Sequence, residues 1–282
     1  MPIVEAIFAG IDWLTLTLPS TSKGIAEWRN KGIRALEAIA KEGNVIRPRG
    51  LLGYYGVSSG NCFVGEREAD SMQQFTGYHA DQVFDTIYRT DAHISRVDIQ
   101  VTVKTVERID SIARDAYKAA SADNDRLPVA RRRKLSLIVG SDGGDTSYIG
   151  SPTSDQRGRI YNKEVQSERP EYTRCWRYEV IYRNDHASSV CAAIYSRGSD
   201  HTAICTHNAA SWFGLRGIDA NWFFSGILQP QPLVRTRPTD IEAKMHWIEH
   251  QVRPTIRYLC EHGYRDTLEL LLFPPEEVHE SE

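Results

Sequence analysis

Long apolar runs are missing from this 282-residue chain, because Asp, Lys or Arg interrupts each one. None reaches the roughly 20 residues that a membrane-spanning helix needs, so no membrane partner is expected. The opening MPIVEAIFAGIDW has no basic start and no apolar signal core, which predicts no secretory leader. Cysteine is sparse: Cys62, Cys175, Cys191, Cys205 and Cys260 are scattered, odd in number and never spaced as CxxC. That pattern predicts free thiols in a reducing cytoplasm rather than a disulfide framework or a zinc ribbon. There is no GKS or GKT phosphate loop, so any helicase action is assigned to a separate partner. No histidine–apolar–histidine triplet occurs, which leaves a metal centre built on paired histidines unsupported. His246 and His250 stand four residues apart, but Trp247 follows where a zinc protease carries its catalytic glutamate. Charge of one sign is also lacking, since a net −3 excludes a uniformly basic, histone-like nucleic-acid binder.

The hydrophobic content of 41% and charged content of 25% are ordinary for a globular protein able to bury a full core. The charge is unevenly spread. From Arg126 to Arg183 there are twelve Lys and Arg against seven Asp and Glu, so the remainder of the chain is strongly acidic. Local positive charge suits a phosphate-binding surface, because attraction to a polyanion is screened beyond about 8–10 Å. Solvated strand faces account for the same surplus equally well.

Alternation of apolar and polar residues predicts strands at Ile7–Leu18, Ile94–Val103, Leu135–Val139, Thr146–Ile149, Arg157–Lys163 and Arg174–Arg183. A hairpin is expected from Leu51–Val57 and Asn61–Gly65 around Ser58-Ser59-Gly60. Helical spacing marks Ser20–Lys41, with Ser20 or Ser22 as cap, then Ala80–Arg89, Val106–Ala120 and Asp185–Tyr195. Residues Ala122–Lys134 read as a loop or mobile arm. After the aromatic stretch His207–Gly226 and the proline-rich Gln229–Pro238, a long helix is expected from Thr239 to Glu261, kinked at Pro254. The fold class is therefore α+β: a central antiparallel sheet packed by helices, with a C-terminal helical segment. The expected divisions are 1–196, an α+β region; 197–273, aromatic-rich and helical and packed on it; and 274–282, a disordered acidic tail.

In a strand, alternate residues share a face. Arg157, Arg159, Tyr161 and Lys163 then fall on one side of their strand, Arg177 and Glu179 on one side of the next, and Arg96 and Asp98 on one side of the earlier one. A phenol among cations, with two acids able to hold a metal, points to phosphodiester chemistry if those faces are adjacent. A free phenol has a pKa of about 10, so a neighbouring cation such as Lys163 or Arg159 is needed to favour the phenolate, and Arg159 is alternatively a phosphate clamp. The competing readings are an ordinary half-buried Tyr161 and simple ion pairs of Asp98 and Glu179 with Arg96 and Arg177. Tyr148 is the second candidate nucleophile. Asp12 is a third candidate ligand, set back by an expected place at the sheet edge. Arg131, Arg132, Arg133 and Lys134, with Arg96, Arg157 and Arg177, are the candidate DNA contacts. The Trp/Phe stretch after His207 either stacks unpaired bases or, more simply, packs in the core.

The segments Asp12-Trp13-Leu14-Thr15-Leu16-Thr17, Ser95-Arg96-Val97-Asp98-Ile99, Tyr148-Ile149-Gly150-Ser151, Arg159-Ile160-Tyr161-Asn162-Lys163 and Trp176-Arg177-Tyr178-Glu179-Val180 follow one another in a recognisable order. Lys244-Met245-His246-Trp247-Ile248 and Gln251-Val252-Arg253-Pro254-Thr255 extend the series. Together they resemble the Rep_trans type of replication initiation factor of rolling-circle plasmids and filamentous phages, related to some conjugative relaxases. The resemblance implies a nickase that cuts one origin strand through a tyrosine with Mg²⁺ or Mn²⁺. It gives Tyr161 as nucleophile, with Asp98 and Glu179 as metal ligands. The implied partners are origin DNA, with a locally unpaired strand, a host helicase and polymerase, and a second copy of the chain. Several relatives carry an acid where this chain has Asn162, which leaves an extra carboxylate's role open. An origin-binding protein that has lost nicking is the alternative on the same scaffold.

Overall fold

The computed structural model describes residues 4–42, 45–167, 170–196, 198, 201–220, 253–261 and 263. The chain divides into two compact units, Met1–Leu233 and Val234–Glu282. In the first, ten strands form one antiparallel sheet: β1 (Val4–Pro19), β2 (Ile46–Leu51), β3 (Tyr54–Ser59), β4 (Cys62–Glu66), β5 (Asp70–Thr76), β6 (His93–Thr105), β7 (Leu135–Ile138), β8 (Thr146–Ile149), β9 (Gln156–Asn162) and β10 (Cys175–Arg183). Their order across the sheet is β2-β3-β4-β5-β1-β6-β10-β9-β8-β7. Helices α1 (Ile25–Lys41), α2 (Tyr78–Ile87), α3 (Ile112–Asp125), α5 (Asn184–Ser196) and α6 (His201–Gly214) share one buried cluster with the sheet, while the short α4 (Lys163–Ser167) follows β9 directly. The fold is thus α+β, as the alternation predicts.

Alternation decides which side each strand residue takes. On β6, Val97, Ile99, Val101 and Val103 enter the helix-covered core, and on β10 Trp176, Tyr178, Val180 and Tyr182 do the same. The intervening residues, Arg96 and Asp98 on β6 and Arg177 and Glu179 on β10, are left for the opposite face. Trp212 and Phe213 of α6 also belong to the core. They approach β9 at Gly158, where a Cβ would stand 2.3 Å from the Trp212 ring. The described part of the aromatic stretch is therefore packing, the simpler of its two readings.

Several expectations need correction. α1 begins at Ile25 rather than Ser20, with Gly24 in a left-handed conformation at its cap position and no side-chain cap, while the Ser20 hydroxyl donates to the carbonyls of Glu68 and Ala69. β6 runs on to Thr105, whose hydroxyl holds the Glu107 carbonyl, so α3 starts only at Ile112 and continues to Asp125, into the expected loop. Strands β2 and β5 carry no readable alternation. β2 is an exposed edge strand containing Pro48 and Gly50, and β5 buries Gln73, whose amide donates to the Trp28 carbonyl of α1 at 2.8 Å. β1 lies in the interior of the sheet, between β5 and β6, and not at its edge.

Of the second unit the structure describes α7 (Arg253–Glu261), with Pro254 in its first turn, where a missing N–H is tolerated. The proline-rich segment, residues 239–252 with both paired histidines, and the acidic tail lie outside the described residues. The five cysteines are free thiols, four of them buried. Among the described residues no helix is long and apolar enough to cross a membrane.

Candidate active site

The face opposite the helices gathers residues from five adjacent strands. Asp98 on β6 stands opposite Ile181 of β10, and Glu179 opposite Gln100, so the two acids are diagonal neighbours. On the far side of β10, Arg177 faces Tyr161 and Glu179 faces Arg159 of β9. Asp12 joins them through a bulge: Ile11 pairs with Ile99 and Trp13 with Asp98, leaving Asp12 as the extra residue. A bulge re-aims a side chain, and the Asp12 carboxylate accepts from Arg177 at 3.0 Å.

Each acid is matched to a guanidinium. Arg96 donates to both oxygens of Asp98, at 2.8 and 2.6 Å, and stacks 4.3 Å from the Trp13 ring. Arg177 also donates to the Thr102 hydroxyl at 2.8 Å. Glu179 is fully buried; one of its oxygens accepts from Arg159 and the other from the Tyr161 hydroxyl at 2.5 Å. Burial raises the Glu179 pKa, and repulsion from Asp12 adds to the rise against the pull of Arg159. Burial likewise raises Asp98 against its Arg96 partner. The Tyr161 phenol is pushed well up, first by burial and then by the Glu179 charge. Arg159 keeps its proton despite burial because Glu179 and Tyr161 favour the cation. The phenol is thus held neutral, with its proton already aimed at a carboxylate whose basicity is raised.

The expected strand to Lys163 is corrected here. β9 ends at Asn162, whose side-chain oxygen accepts the Val165 N–H and caps α4, while its amide donates to the Gly143 carbonyl, each at 3.3 Å. Asn162 is therefore engaged in local structure. Lys163 opens α4 instead, with its ammonium 5.9 Å from the Tyr161 ring and bound to Gln166 at 2.6 Å. Burial and the Arg177 charge lower its pKa.

Tyr161, Arg159, Arg177, Glu179, Asp98 and Arg96 are thus brought together, with Asp12 added. Arg157 shares their face further along β9, over the Tyr148 ring at 4.2 Å. The basic cluster is elsewhere. Arg133 is ion-paired with Asp123 of α3 at 2.6 Å, and exposed Arg131, Arg132 and Lys134 flank it before the edge strand β7. Sequence reasoning missed Trp13 as a stacking partner of Arg96 and Glu179 as the acceptor for the phenol. Neither has a local signal, since both depend on strand pairing. Beside Tyr161 a cleft of about 400 Å³ opens between β8, β9 and α4, lined by Thr146, Tyr148, Arg159, Tyr161 and Gln166 among others.

Asp12, Asp98 and Glu179 offer the oxygen donors that a hard divalent cation takes. Among the described residues, however, no three His, Cys, Asp or Glu side chains already cluster closely enough to hold a metal, because arginines occupy these carboxylates.

Residues 87–271 match a protein family described as replication initiation factor. That span includes Asp98, Tyr148, Tyr161 and Glu179 and excludes Asp12 and Trp13. Among solved structures, a rolling circle replication initiator protein from Geobacillus stearothermophilus is similar at 19% identity, covering 68% of this chain and 80% of that one, with a TM-score of 0.49. No curated protein matches significantly.

Proposed function

The chain belongs to the replication initiation factor family, and from that premise we propose that it nicks one DNA strand at an origin by tyrosine transesterification. The Tyr161 oxygen attacks the scissile phosphorus, a P–O bond forms to tyrosine, and the P–O bond to the 3′ oxygen breaks. The phenol proton passes to Glu179, the 3′ oxygen leaves as a hydroxyl by taking one proton from water, and Glu179 returns its proton to solvent. The products are a 5′-phosphotyrosyl link and a free 3′-OH, which a host polymerase extends in rolling-circle replication once a separate helicase opens the duplex.

The observation that carries this reading is the 2.5 Å bond to buried Glu179 from the hydroxyl of Tyr161, itself only 6% exposed but among the residues that line the cleft. It puts the phenol proton in direct hydrogen-bond contact with the carboxylate, as a general base requires, and the raised Glu179 pKa suits that task. Arg159 and Lys163 would neutralise the phosphate as charge develops. Asp98, with Asp12 as a second ligand, would hold Mg²⁺ or Mn²⁺; Glu179, the other ligand that the resemblance implies, is engaged here by Arg159 and the phenol and serves as the base. When bound, that ion would polarise the phosphoryl oxygens and neutralise their charge. Arg96, Arg157 and Arg177 would contact the strand beside it.

The test is supercoiled DNA carrying the cognate origin, incubated with Mn²⁺ and, separately, with a chelator. Nicked circles with covalently attached protein in Mn²⁺ alone are expected. Binding without any nicked product would instead assign the chain to origin recognition on the same scaffold.

A further inference from the structure

Arg157 is a cation in an unusual setting. It packs 4.2 Å over the Tyr148 ring, its Nε is buried without a hydrogen bond, and among the described residues no carboxylate pairs with it. Three other arginines on this face have an acid, Arg96 with Asp98, Arg159 with Glu179 and Arg177 with Asp12, while Arg183 donates to the Ser154 carbonyl. Burial, together with the neighbouring charges of Arg159 and Arg183, lowers the Arg157 pKa, so an anion placed there would relieve both. Tyr148 is half-buried and lines the cleft that Tyr161 also lines, whereas Arg157 stands outside that lining and backs the ring. On adjacent strands, Tyr148 pairs with Arg159 and Thr146 with Tyr161, so the platform lies two residue pairs along the sheet from the phenol, the next position on the same face.

We infer that this cleft is a subsite for the nucleotide next to the scissile phosphate, its base stacked on Tyr148, with the adjoining phosphate outside the cleft beside the Arg157 guanidinium. The inference rests on the nicking reading for the position of the scissile bond, but not for the chemistry of the platform. An aromatic ring stiffened by a guanidinium offers a base a flat surface, and such stacking tolerates any base. A volume of about 400 Å³ is in the range of small-ligand clefts. Charge complementarity favours a phosphodiester strand over a peptide, since the cation without a partner lies beside the ring and Arg159 lies in the cleft wall. Tyr148 is then a positioning residue rather than a second nucleophile. Among the described residues its hydroxyl has no carboxylate acceptor, in contrast to that of Tyr161.

The experiment measures binding of two fluorescein-labelled 12-mers to the full chain: single-stranded dT12 and a strand of the same length made wholly of abasic residues. Tyr148→Ala should weaken dT12 binding roughly 5- to 150-fold and leave the abasic strand unchanged, since stacking needs a base. Tyr148→Phe should behave as the parent on both. Arg157→Gln should weaken both strands and lower the slope of log affinity against log salt by about 0.7. Equal dT12 binding by Tyr148→Ala and the parent, equal losses on both strands, or no binding of dT12 by the parent would overturn the subsite. A parent that forms the Tyr161 adduct while Tyr148→Ala binds dT12 normally loses the subsite alone. A parent without an adduct loses the nicking reading, and the 12-mer comparison still decides the platform.

Discussion

Replacing Tyr161 by Phe removes one oxygen from a closed network, and its effect on stability can be worked out before any assay of activity. Glu179 is fully buried, and the Tyr161 hydroxyl is the donor to one of its two oxygens, with the nearest Arg177 nitrogen 3.9 Å away. The phenylalanine ring fills the same space but leaves that oxygen without a donor inside the protein. Hydrogen bonds to charged groups contribute about 1.5–3 kcal/mol, so a loss of about 2 kcal/mol is expected, partly offset where Arg177 swings closer. For a unit of this size that corresponds to a fall in Tm of roughly 4–8 °C. The control is Glu179→Gln, which keeps an acceptor but removes the charge. In that background Tyr161→Phe should cost only about 1 kcal/mol, giving a coupling energy of about 1 kcal/mol in a double-mutant cycle. Thermal unfolding followed by circular dichroism reads all four proteins. Equal costs in the two backgrounds would refute the claim that the phenol serves the Glu179 charge, and with it the proposed base.

Three further outcomes follow from the same contacts. Because burial raises the Glu179 pKa above its ordinary 4.5, its basic form is lost as pH falls through a higher value. Adduct formation should therefore show an acid limb above that range, and Glu179→Gln should remove it; a limb at the ordinary value would contradict the assignment. Gly158→Ala drives a methyl into the Trp212 ring and should cost about 1–3 kcal/mol in urea unfolding, whereas a neutral result would show that α6 yields freely. Asn162→Ala deletes the α4 cap and should cost about 1 kcal/mol, while Asn162→Asp keeps the capping acceptor and should recover most of it.

Much of this site was legible because a strand announces its faces locally. Val97-Asp98-Ile99 and Tyr178-Glu179-Val180 each place one acid between two core residues, so both acids could be put on the face away from the core. Pairing was not legible. Whether Tyr161 meets Glu179 or a residue two positions away depends on the β9–β10 register, which is set by contacts across the sheet rather than within either strand. Asp12 was misplaced for the same reason: nothing local states that β1 inserts between β5 and β6, or that a bulge turns this carboxylate toward Arg177. Lys163 was assigned to the strand because its charge continues the alternation of Arg159 and Tyr161. The capping capacity of Asn162 was the competing signal, and it prevailed. The same alternation hid β2 and β5, where an exposed edge and a buried glutamine break the binary pattern.

The central claim concerns which atom attacks DNA. Mass mapping of the covalent protein–oligonucleotide adduct, formed with the cognate origin strand and Mn²⁺, answers it directly. The expected attachment is on the Tyr161 oxygen, with none in Tyr161→Phe; attachment at Tyr148 or any other side chain, or an adduct that survives that substitution, would contradict the account.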